Sequence, residues 1–267
     1  MNKYHQKIKQ RLLSKSRFIY LWWLYKKSKA IAVNQKSAIV FAPHQDDETL
    51  GCGGTIALKC DRKVALDVVF LTDGRASYAE YPQICPDQLV QIRQQEAIQA
   101  LKTLGVAQSA IHFLGKPDGG LAVLSSAERQ ETINQLVQLL RDRQPQEVYV
   151  PYKQDIHPDH KETYALVQAA VQESQLPIEV LQYPVWTRWV PHQLDFKSPE
   201  LAHAYRLPIN KVLNKKIAAL AAYQSQYSSI VPGVEPILPP GFIECFISSY
   251  EIFFKTSPVK QKLSCEL

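Results

Sequence analysis

The sequence predicts an α/β fold with a mostly parallel, doubly wound sheet. Short apolar runs rich in β-branched residues alternate with longer helical patterns along most of the chain. Parallel strands need crossover connections, which helices of this length supply. The helical patterns also carry start and stop signals, such as Gly105 at the end of one of them. With 267 residues, the chain is long enough for one large domain of this class, alone or with a small appendage.

The elements follow in order from the first strand, "SAIVFA" at residues 37–42, which leads into a helix at "TLGCGGTIALKC". Four more strands are predicted, at residues 64–72, 110–115, 147–152 and 178–186. The helices between them are residues 86–106, residues 125–145 and a segment that begins at "HPDH". Ser125 or Ser126 is the expected N-cap of the second of these helices, with Glu128 in capping-box range.

The last third of the sequence is less regular. Residues 186–210 show no clear period, and residues 211–227 are predicted to form a helix. Residues 231–242 are a Pro/Gly loop that could line or cover a site, and residues 242–256 are a closing strand or hairpin.

The net charge of +6 is concentrated at the N-terminus. Residues 1–36 carry ten Lys or Arg and no acid, which leaves 21 basic against 25 acidic residues in the rest of the chain. A role of the main domain in nucleic-acid binding therefore has no support. We expect a basic-aromatic extension at residues 1–36 and one domain at residues 37–267.

The extension contains "RFIYLWWLYKK". Its apolar run, residues 18–25, is far shorter than the roughly 20 residues that span a bilayer, and no signal-peptide cleavage site follows it. Two interpretations stay open. The segment is either a helix that packs its aromatic side chains on the domain or an attachment to an anionic membrane surface, where Trp, Tyr and Lys are favoured.

The five cysteines are scattered and form no CxxC pair. This pattern argues against a disulfide framework or a zinc-thiolate site and favours a reducing compartment. Cys52 beside the polar loop is better interpreted as a small buried thiol than as a nucleophile. The glycines around it match a nucleotide-binding loop only faintly and favour close helix packing instead.

Ionisable side chains follow two of the predicted strands. His44, Asp46, Asp47 and Glu48 come directly after the first strand, and residues 155–160 come after the fourth. Ligands of open parallel sheets bind beyond the carboxyl ends of the strands, so both clusters are expected at one edge. Groups this close together repel one another unless a cation binds them.

"HPDH" places His157 and His160 on one side of a starting helix, with Pro158 in its first turn. One of these imidazoles, His44 and one carboxylate of the first loop would make a three-ligand N/N/O site, as in catalytic zinc centres. A second carboxylate could then act as general base and the spare histidine as acid or oxyanion stabiliser. Alone, each motif also fits an ordinary helix start; their joint occurrence favours the metal site.

The sequence resembles the PIG-L/LmbE-like family of metal-dependent N-acetylglucosaminyl deacetylases. "APHQDDETLGCGG" is similar to that family's A-H-P-D-D-E-x-x-G-x-G-G pattern, and "HPDH" to its H-x-D-H. Weaker similarities are "LTDGRAS", "IRQQEAIQALKTLGV", "FLGKPDGGL" and "KKIAALAAYQSQ". Together they run from about residue 37 to residue 227 in the family's order.

The resemblance implies a Rossmann-like fold and assigns residues to roles. Its metal ligands would be His44, Asp47 and His160, and Asp46 would be the general base. His157 would stabilise the oxyanion or protonate the leaving amine, with Asp159 orienting it. Weaker candidates for substrate contacts are Arg75, Arg93 and Asp118. Glu48 is expected to be structural, as a hydrogen-bond acceptor behind the ligands.

One departure from the family's pattern is Gln45, which stands where the family has proline. This change alters the stiffness of the loop and leaves the polar groups of the motif intact. The basic-aromatic extension is not part of the family's core.

We therefore expect a zinc-dependent enzyme that hydrolyses the acetamide of an N-acetylglucosamine-type conjugate, such as a lipid-linked or lipopolysaccharide-type glycan. We expect the enzyme to be cytoplasmic, and to lie at the inner face of the membrane if the extension binds that membrane. The N/N/O ligand set also tolerates Fe²⁺ or cobalt. Two alternatives stay open: the same site acting on another amide, such as a thiol-sugar conjugate or an acylated antibiotic, and a catalytically silent carbohydrate-binding scaffold.

Overall fold

The computed structural model describes residues 16–190 and 203–255, and within them eight strands form one sheet. The strands are β1 (Lys29–Ala30), β2 (Ala38–Ala42), β3 (Leu66–Thr72), β4 (Ile111–Lys116), β5 (Glu147–Pro151), β6 (Glu179–Tyr183), β7 (Ala204–Pro208) and β8 (Tyr250–Lys255). The helices are α1 (16–27), α2 (Asp47–Asp61), α3 (Pro86–Leu104), α4 (Ser126–Arg143), α5 (Pro158–Ser174), α6 (Trp186–Trp189), α7 (Leu213–Leu220) and α8 (Gln224–Tyr227).

The strand order is β1-β7-β8-β6-β5-β2-β3-β4, which confirms the predicted doubly wound sheet. All neighbours are parallel except β8, which runs antiparallel to β6 and β7. From β2 the chain adds β3 and β4 on one side, and then crosses to add β5 and β6 on the other. The order of the strands therefore reverses between β2 and β5, where open α/β sheets bind ligands.

The central strand β2 shows how the sheet separates two cores. Ala38, Val40 and Ala42 belong to the core under α2, α3 and α7. Ile39 and Phe41 point the opposite way, into the core under α4 and α5. Because side chains alternate along a strand, a continuous apolar run indicates a strand that is covered on both faces.

Helix α2 lies unusually close to its neighbours because of its glycines. A Cβ atom at Gly51 would lie 2.2 Å from the ring of Tyr183, and one at Gly54 would lie 2.6 Å from Ile209. The glycine run is thus explained by helix packing against β6 and the turn after β7.

Helix α1 packs one side onto the domain. Tyr20 and Leu24 are buried in a small core with Tyr152, Ile252 and Phe254. The chain then enters the sheet through β1, which pairs with β7. None of the helices in the described part of the chain is both long and apolar enough to cross a membrane.

The C-terminal third differs from the prediction in three places. The segment predicted to be irregular contains β7, whose short run ends in Pro208 and is fixed by pairing with β8; residues 191–202 lie outside the described residues. The helix predicted at 211–227 is broken between α7 and α8, where the Tyr223 hydroxyl bonds to Glu48. The predicted closing strand or hairpin at 242–256 is confirmed as a strand over Tyr250–Lys255 (β8), whereas Ile243–Phe246 form a short 3₁₀ turn.

Candidate active site

Two loops meet at the edge of the sheet where the strand order reverses. The first connects β2 to α2 and carries His44 and Asp46. The second connects β5 to α5 and carries His157, which is the N-cap residue of α5. Since β2 and β5 are direct parallel neighbours, both loops leave the sheet side by side. The two clusters are therefore close in space, as the strand-end positions predict.

The side chains of the two loops converge on the carboxylate of Asp47. Its Oδ2 atom lies 3.0 Å from Nδ1 of His44 and 3.2 Å from Nε2 of His160. The ring of His44 lies 4.8 Å from the ring of His157 and 5.5 Å from that of His160, measured between centroids. Three imidazoles and one carboxylate thus surround one small volume.

The donor atoms suit a divalent metal ion. His160 is fully buried, yet within the described residues neither of its ring nitrogens makes a hydrogen bond of good geometry. Two groups of residues have donor atoms that all lie within 4.8 Å of one another. One is His44 with His157 and His160, and the other is His44 with Asp118 and Asp159. Imidazole nitrogens and carboxylate oxygens are the ligands of catalytic zinc, so the residues fit such an ion.

Charge is distributed unevenly within this cluster. Burial lowers the pKa of His160, but the nearby Asp47 and Asp155 outweigh it and raise that pKa to about 9. Burial raises the pKa of Asp47, but the two histidines beside it outweigh that effect and hold it well below its usual range. A metal that binds His160 must displace its proton, so metal binding and proton release are linked.

Asp46 has a strained backbone and a protonatable side chain. Its φ angle is 144°, a region that residues other than glycine rarely adopt. The carboxylate of Glu48 holds this conformation by accepting a hydrogen bond from the Asp46 N–H at 3.1 Å. Burial and the charge of Asp47 raise the pKa of Asp46 to about 8, so its carboxyl group can exchange a proton near neutral pH.

His157 is a neutral imidazole with a fixed tautomer. Burial, with the neighbouring His44 and His160, lowers its pKa to about 4. Its Nδ1 atom accepts a hydrogen bond from the backbone N–H of Asp159 at 3.3 Å. The ring proton is therefore assigned to Nε2, where it can serve as a hydrogen-bond donor.

The two other acids near His44 brace the loop that follows β4. Asp159 accepts hydrogen bonds from the backbone N–H groups of Gly119, at 2.7 Å, and Leu121, at 3.2 Å. Its carboxylate lies 3.3 Å from Nε2 of His44, and Asp118 lies 3.2 Å from the same nitrogen. Asp159 thus contacts His157 through its backbone, while its carboxylate holds His44 and the loop.

The two arginines predicted to contact substrate lie in different places. Arg93 is buried at the pocket; it donates to the backbone oxygen of Gln45 at 3.0 Å and lies 3.9 Å from Asp46. Arg75 is half-exposed and pairs with Asp73, 2.6 Å away. Arg93 therefore supports the loop between β2 and α2 and faces the pocket, whereas Arg75 lies outside the pocket lining.

A cavity of about 200 Å³ opens above the cluster. Its polar lining includes His44, Asp46, Asp47 and His157, and an apolar wall is formed by Val185, Trp186, Ile237, Leu238 and Phe242. The Trp186 and Phe242 rings lie 4.8 Å apart. Apart from Val185 and Trp186, this wall comes from the Pro/Gly loop, which was predicted to line or cover a site.

Asp155 was not among the predicted site residues. It is fully buried, and its carboxylate accepts hydrogen bonds from the N–H groups of Val185 and Trp186 at 3.0 and 3.1 Å. The same oxygen lies 3.5 Å from Nδ1 of His160. Its position two residues before "HPDH", in the second polar cluster, was the available signal.

Comparison with known proteins places this site in a family. Residues 39–171 match the family model described as "PIG-L: GlcNAc-PI de-N-acetylase". This range includes both loops of the cluster, from His44 to His160.

Two curated relatives are similar over parts of the chain. One is a 1D-myo-inositol 2-acetamido-2-deoxy-alpha-D-glucopyranoside deacetylase of Mycobacterium sp. (strain KMS), 35% identical over 54% of this chain and 53% of its own length. The other is a probable N-acetyl-alpha-D-glucosaminyl L-malate deacetylase 2 of Bacillus anthracis, 27% identical over 74% of this chain and 84% of its own. The chain thus spans about half the length of the first of these relatives.

The fold is shared with solved structures. The N,N'-diacetylchitobiose deacetylase of Pyrococcus horikoshii superposes with a TM-score of 0.62 at 21% identity, covering 96% of this chain and 94% of its own. This likeness confirms the α/β architecture.

Proposed function

Because residues 39–171 belong to the PIG-L family, we propose that this protein is a metal-dependent N-deacetylase. Its reaction would be hydrolysis of the acetamide of an N-acetylglucosamine-type conjugate to acetate and a free amine. The observation that carries the proposal is the convergence of His44 and His160 on Asp47, in the same pocket as Asp46. The deacetylases among its relatives support the same reaction type.

The proposed metal ligands are His44, Asp47 and His160. Zn²⁺ is the expected ion, and Fe²⁺ or cobalt would be tolerated by the same donors. When bound, such an ion polarises a carbonyl group and makes a water molecule acidic near neutral pH. The ionised state of Asp47, held by its histidine neighbours, suits the role of an anionic ligand.

Asp46 and His157 would handle the protons. Asp46, with a pKa of about 8, takes the proton of the attacking water and can return it. Nε2–H of the neutral His157 would donate a hydrogen bond to the oxyanion that forms on the carbonyl oxygen, and the proton taken up by Asp46 would be returned to the leaving amine. The Asp159 N–H holds the ring in this tautomer.

The pocket wall supports a sugar substrate. Trp186 and Phe242 give an aromatic surface, and Arg93 and Asp118 supply polar groups around it. Arg75 could contact only a part of the conjugate that extends beyond the pocket.

We infer a lipid-linked or lipopolysaccharide-type glycan, handled by residues 37–267 at the inner face of the cytoplasmic membrane. Residues 1–36 would supply the membrane contact. The basic and aromatic composition of that extension supports this inference.

The test is acetate release from a panel of conjugates, with bound metal measured in the same samples. The panel contains free GlcNAc, a GlcNAc-inositol glycoside, a nucleotide sugar and lipid-linked GlcNAc. Each is run with the unaltered protein, with Asp46→Asn, and with Asp142→Asn, an exposed acid on α4, as matched control.

We expect turnover that falls by about 10²-fold or more in Asp46→Asn while metal stays bound, and that is unchanged in Asp142→Asn. Metal binding without turnover on any conjugate would contradict the sugar substrate and favour another amide. Neither metal nor turnover would favour the silent carbohydrate-binding scaffold.

A further inference from the structure

The outward side of α1 is apolar and uncovered. Phe18, Ile19 and Trp22 are 72%, 63% and 55% exposed, although each is a large hydrophobic residue. They lie at i, i+1 and i+4, on the side of the helix opposite the buried Tyr20 and Leu24. The helix thus has two apolar sides, of which the domain covers one.

Exposed lysines lie next to this surface. Lys26, Lys27 and Lys29 are exposed at the C-terminal end of α1, and the Lys26 ammonium lies 5.9 Å from the Trp22 ring. The sequence of residues 1–36 as a whole contains ten basic residues and no acid. A partner that covers the apolar side therefore meets positive charge from α1 itself.

We propose that the outward side of α1, defined by Phe18, Ile19, Trp22 and Lys26, together with the exposed Lys27 at the last turn of the helix, binds an anionic lipid bilayer and lies in its interface. Aromatic and aliphatic side chains on one side of a helix, with lysines beside them, are typical of interfacial helices. The lysines match the negative headgroups of an anionic leaflet. The buried side anchors the helix to the domain.

Bound in this way, α1 would bring the pocket wall to the lipid. The Arg17 guanidinium lies 3.5 Å from the centre of the Trp189 ring and 3.8 Å from Sγ of Cys245. Two residues beyond Cys245, Ile247 is 41% exposed at the rim of an apolar groove of about 420 Å³, which shares Phe242 with the active-site pocket. Only this consequence, access to lipid-linked sugars, rests on the proposed function.

The test is sedimentation of the full chain with vesicles of phosphatidylcholine, with and without phosphatidylglycerol. One variant combines Phe18→Ser, Ile19→Ser and Trp22→Ser, and a second combines Lys26→Gln and Lys27→Gln. The matched controls are Ile92→Ser with Val123→Ser, which are exposed apolar residues elsewhere, and Lys102→Gln with Lys211→Gln. Acetate release from a soluble GlcNAc conjugate is measured for every variant.

We expect binding to anionic vesicles that weakens about fivefold for each lysine removed and at least about tenfold for the triple serine variant. Both controls should bind like the unaltered protein. The proposal is overturned if the full chain does not sediment with anionic vesicles, or if the controls lose as much binding as the α1 variants. It is also overturned if α1 changes convert a dimer to a monomer without affecting vesicle binding.

Activity on the soluble conjugate separates the two proposals. Vesicle binding without acetate release in any sample would contradict the deacetylase and leave the membrane contact in place. Acetate release without vesicle binding would contradict the membrane contact and leave the deacetylase in place.

Discussion

At the scale of single residues, Asp155 connects the cluster of His44, Asp47 and His160 to the wall of the pocket. Its carboxylate faces His160 on one side and the N–H groups of Val185 and Trp186 on the other. A carboxylate behind a metal-binding imidazole fixes the orientation of the ring and raises its basicity. Asp155 therefore acts through His160 and is a positioning residue.

We predict that Asp155→Asn lowers zinc affinity by about tenfold to a hundredfold, because the neutral amide orients His160 less strongly. The affinity is measured by competition with a chromophoric chelator. The control is Asp142→Asn, the same substitution at an exposed position. Equal affinity in Asp155→Asn and the unaltered protein would contradict this role.

The distances along the chain explain which of these residues the sequence could predict. His44, Asp46 and Asp47 lie in one short motif, and the structure places them at one pocket. Asp155 meets Val185 and Trp186 only because β6 returns beside β5, about 30 residues later. Such a contact depends on the packed sheet and leaves no local pattern.

At the scale of elements, α2 is held in place from two sides. Within the helix, the N–H groups of Gly54 and Thr55 donate to the Glu251 carboxylate at 2.7 and 2.8 Å. Lys216 bridges the same carboxylate to the Leu50 carbonyl oxygen. On the other side, Gly51 lies against the ring of Tyr183. Since α2 begins at Asp47, these contacts also hold in place the loop between β2 and α2.

We predict that Gly51→Ala lowers the free energy of unfolding by about 1–3 kcal/mol, because the added methyl group would overlap the Tyr183 ring. The ring cannot retreat easily, since its hydroxyl donates to the Phe41 carbonyl oxygen at 2.8 Å. Denaturant unfolding gives the value, and zinc affinity should fall in the same variant.

Gly53→Ala is the matched control in the same helix. The nearest atoms to its added Cβ lie at 3.2 Å, and the higher helix propensity of alanine returns about 1 kcal/mol. We expect a smaller change than at Gly51. If the two substitutions destabilise the protein equally, the close approach to Tyr183 does not explain the glycine.

Elements whose stability is local were predicted best. The capping box of α4 is formed by Ser125 and Glu128, as its sequence predicts. Strand β7 was missed because five residues ending in a proline carry little signal without the β8 partner. The break between α7 and α8 was missed for a related reason, because Tyr223 in this break bonds to Glu48, which is distant in the sequence.

At the scale of the whole molecule, the cluster of His44, Asp47 and His160 joins the two halves of the sheet. His44 and Asp47 follow β2, which leads to β3 and β4, whereas His160 follows β5, which leads to β6. Both loops leave the sheet where its strand order reverses. An ion bound between them would therefore link the two halves and stabilise the folded state.

We predict that zinc at a hundredfold excess over its dissociation constant raises the free energy of unfolding by about 2.7 kcal/mol, because the unfolded chain has no assembled site. For a chain of this length, this corresponds to a rise in Tm of about 5–11 °C. Calorimetry of chelator-treated and zinc-loaded protein measures it. Asp47→Asn should lose most of the rise, whereas Asp46→Asn, which removes the proposed base and keeps the ligands, should retain it. An equal rise in both variants would contradict the assignment of Asp47 as ligand, and no rise in the unaltered protein would contradict the metal site itself.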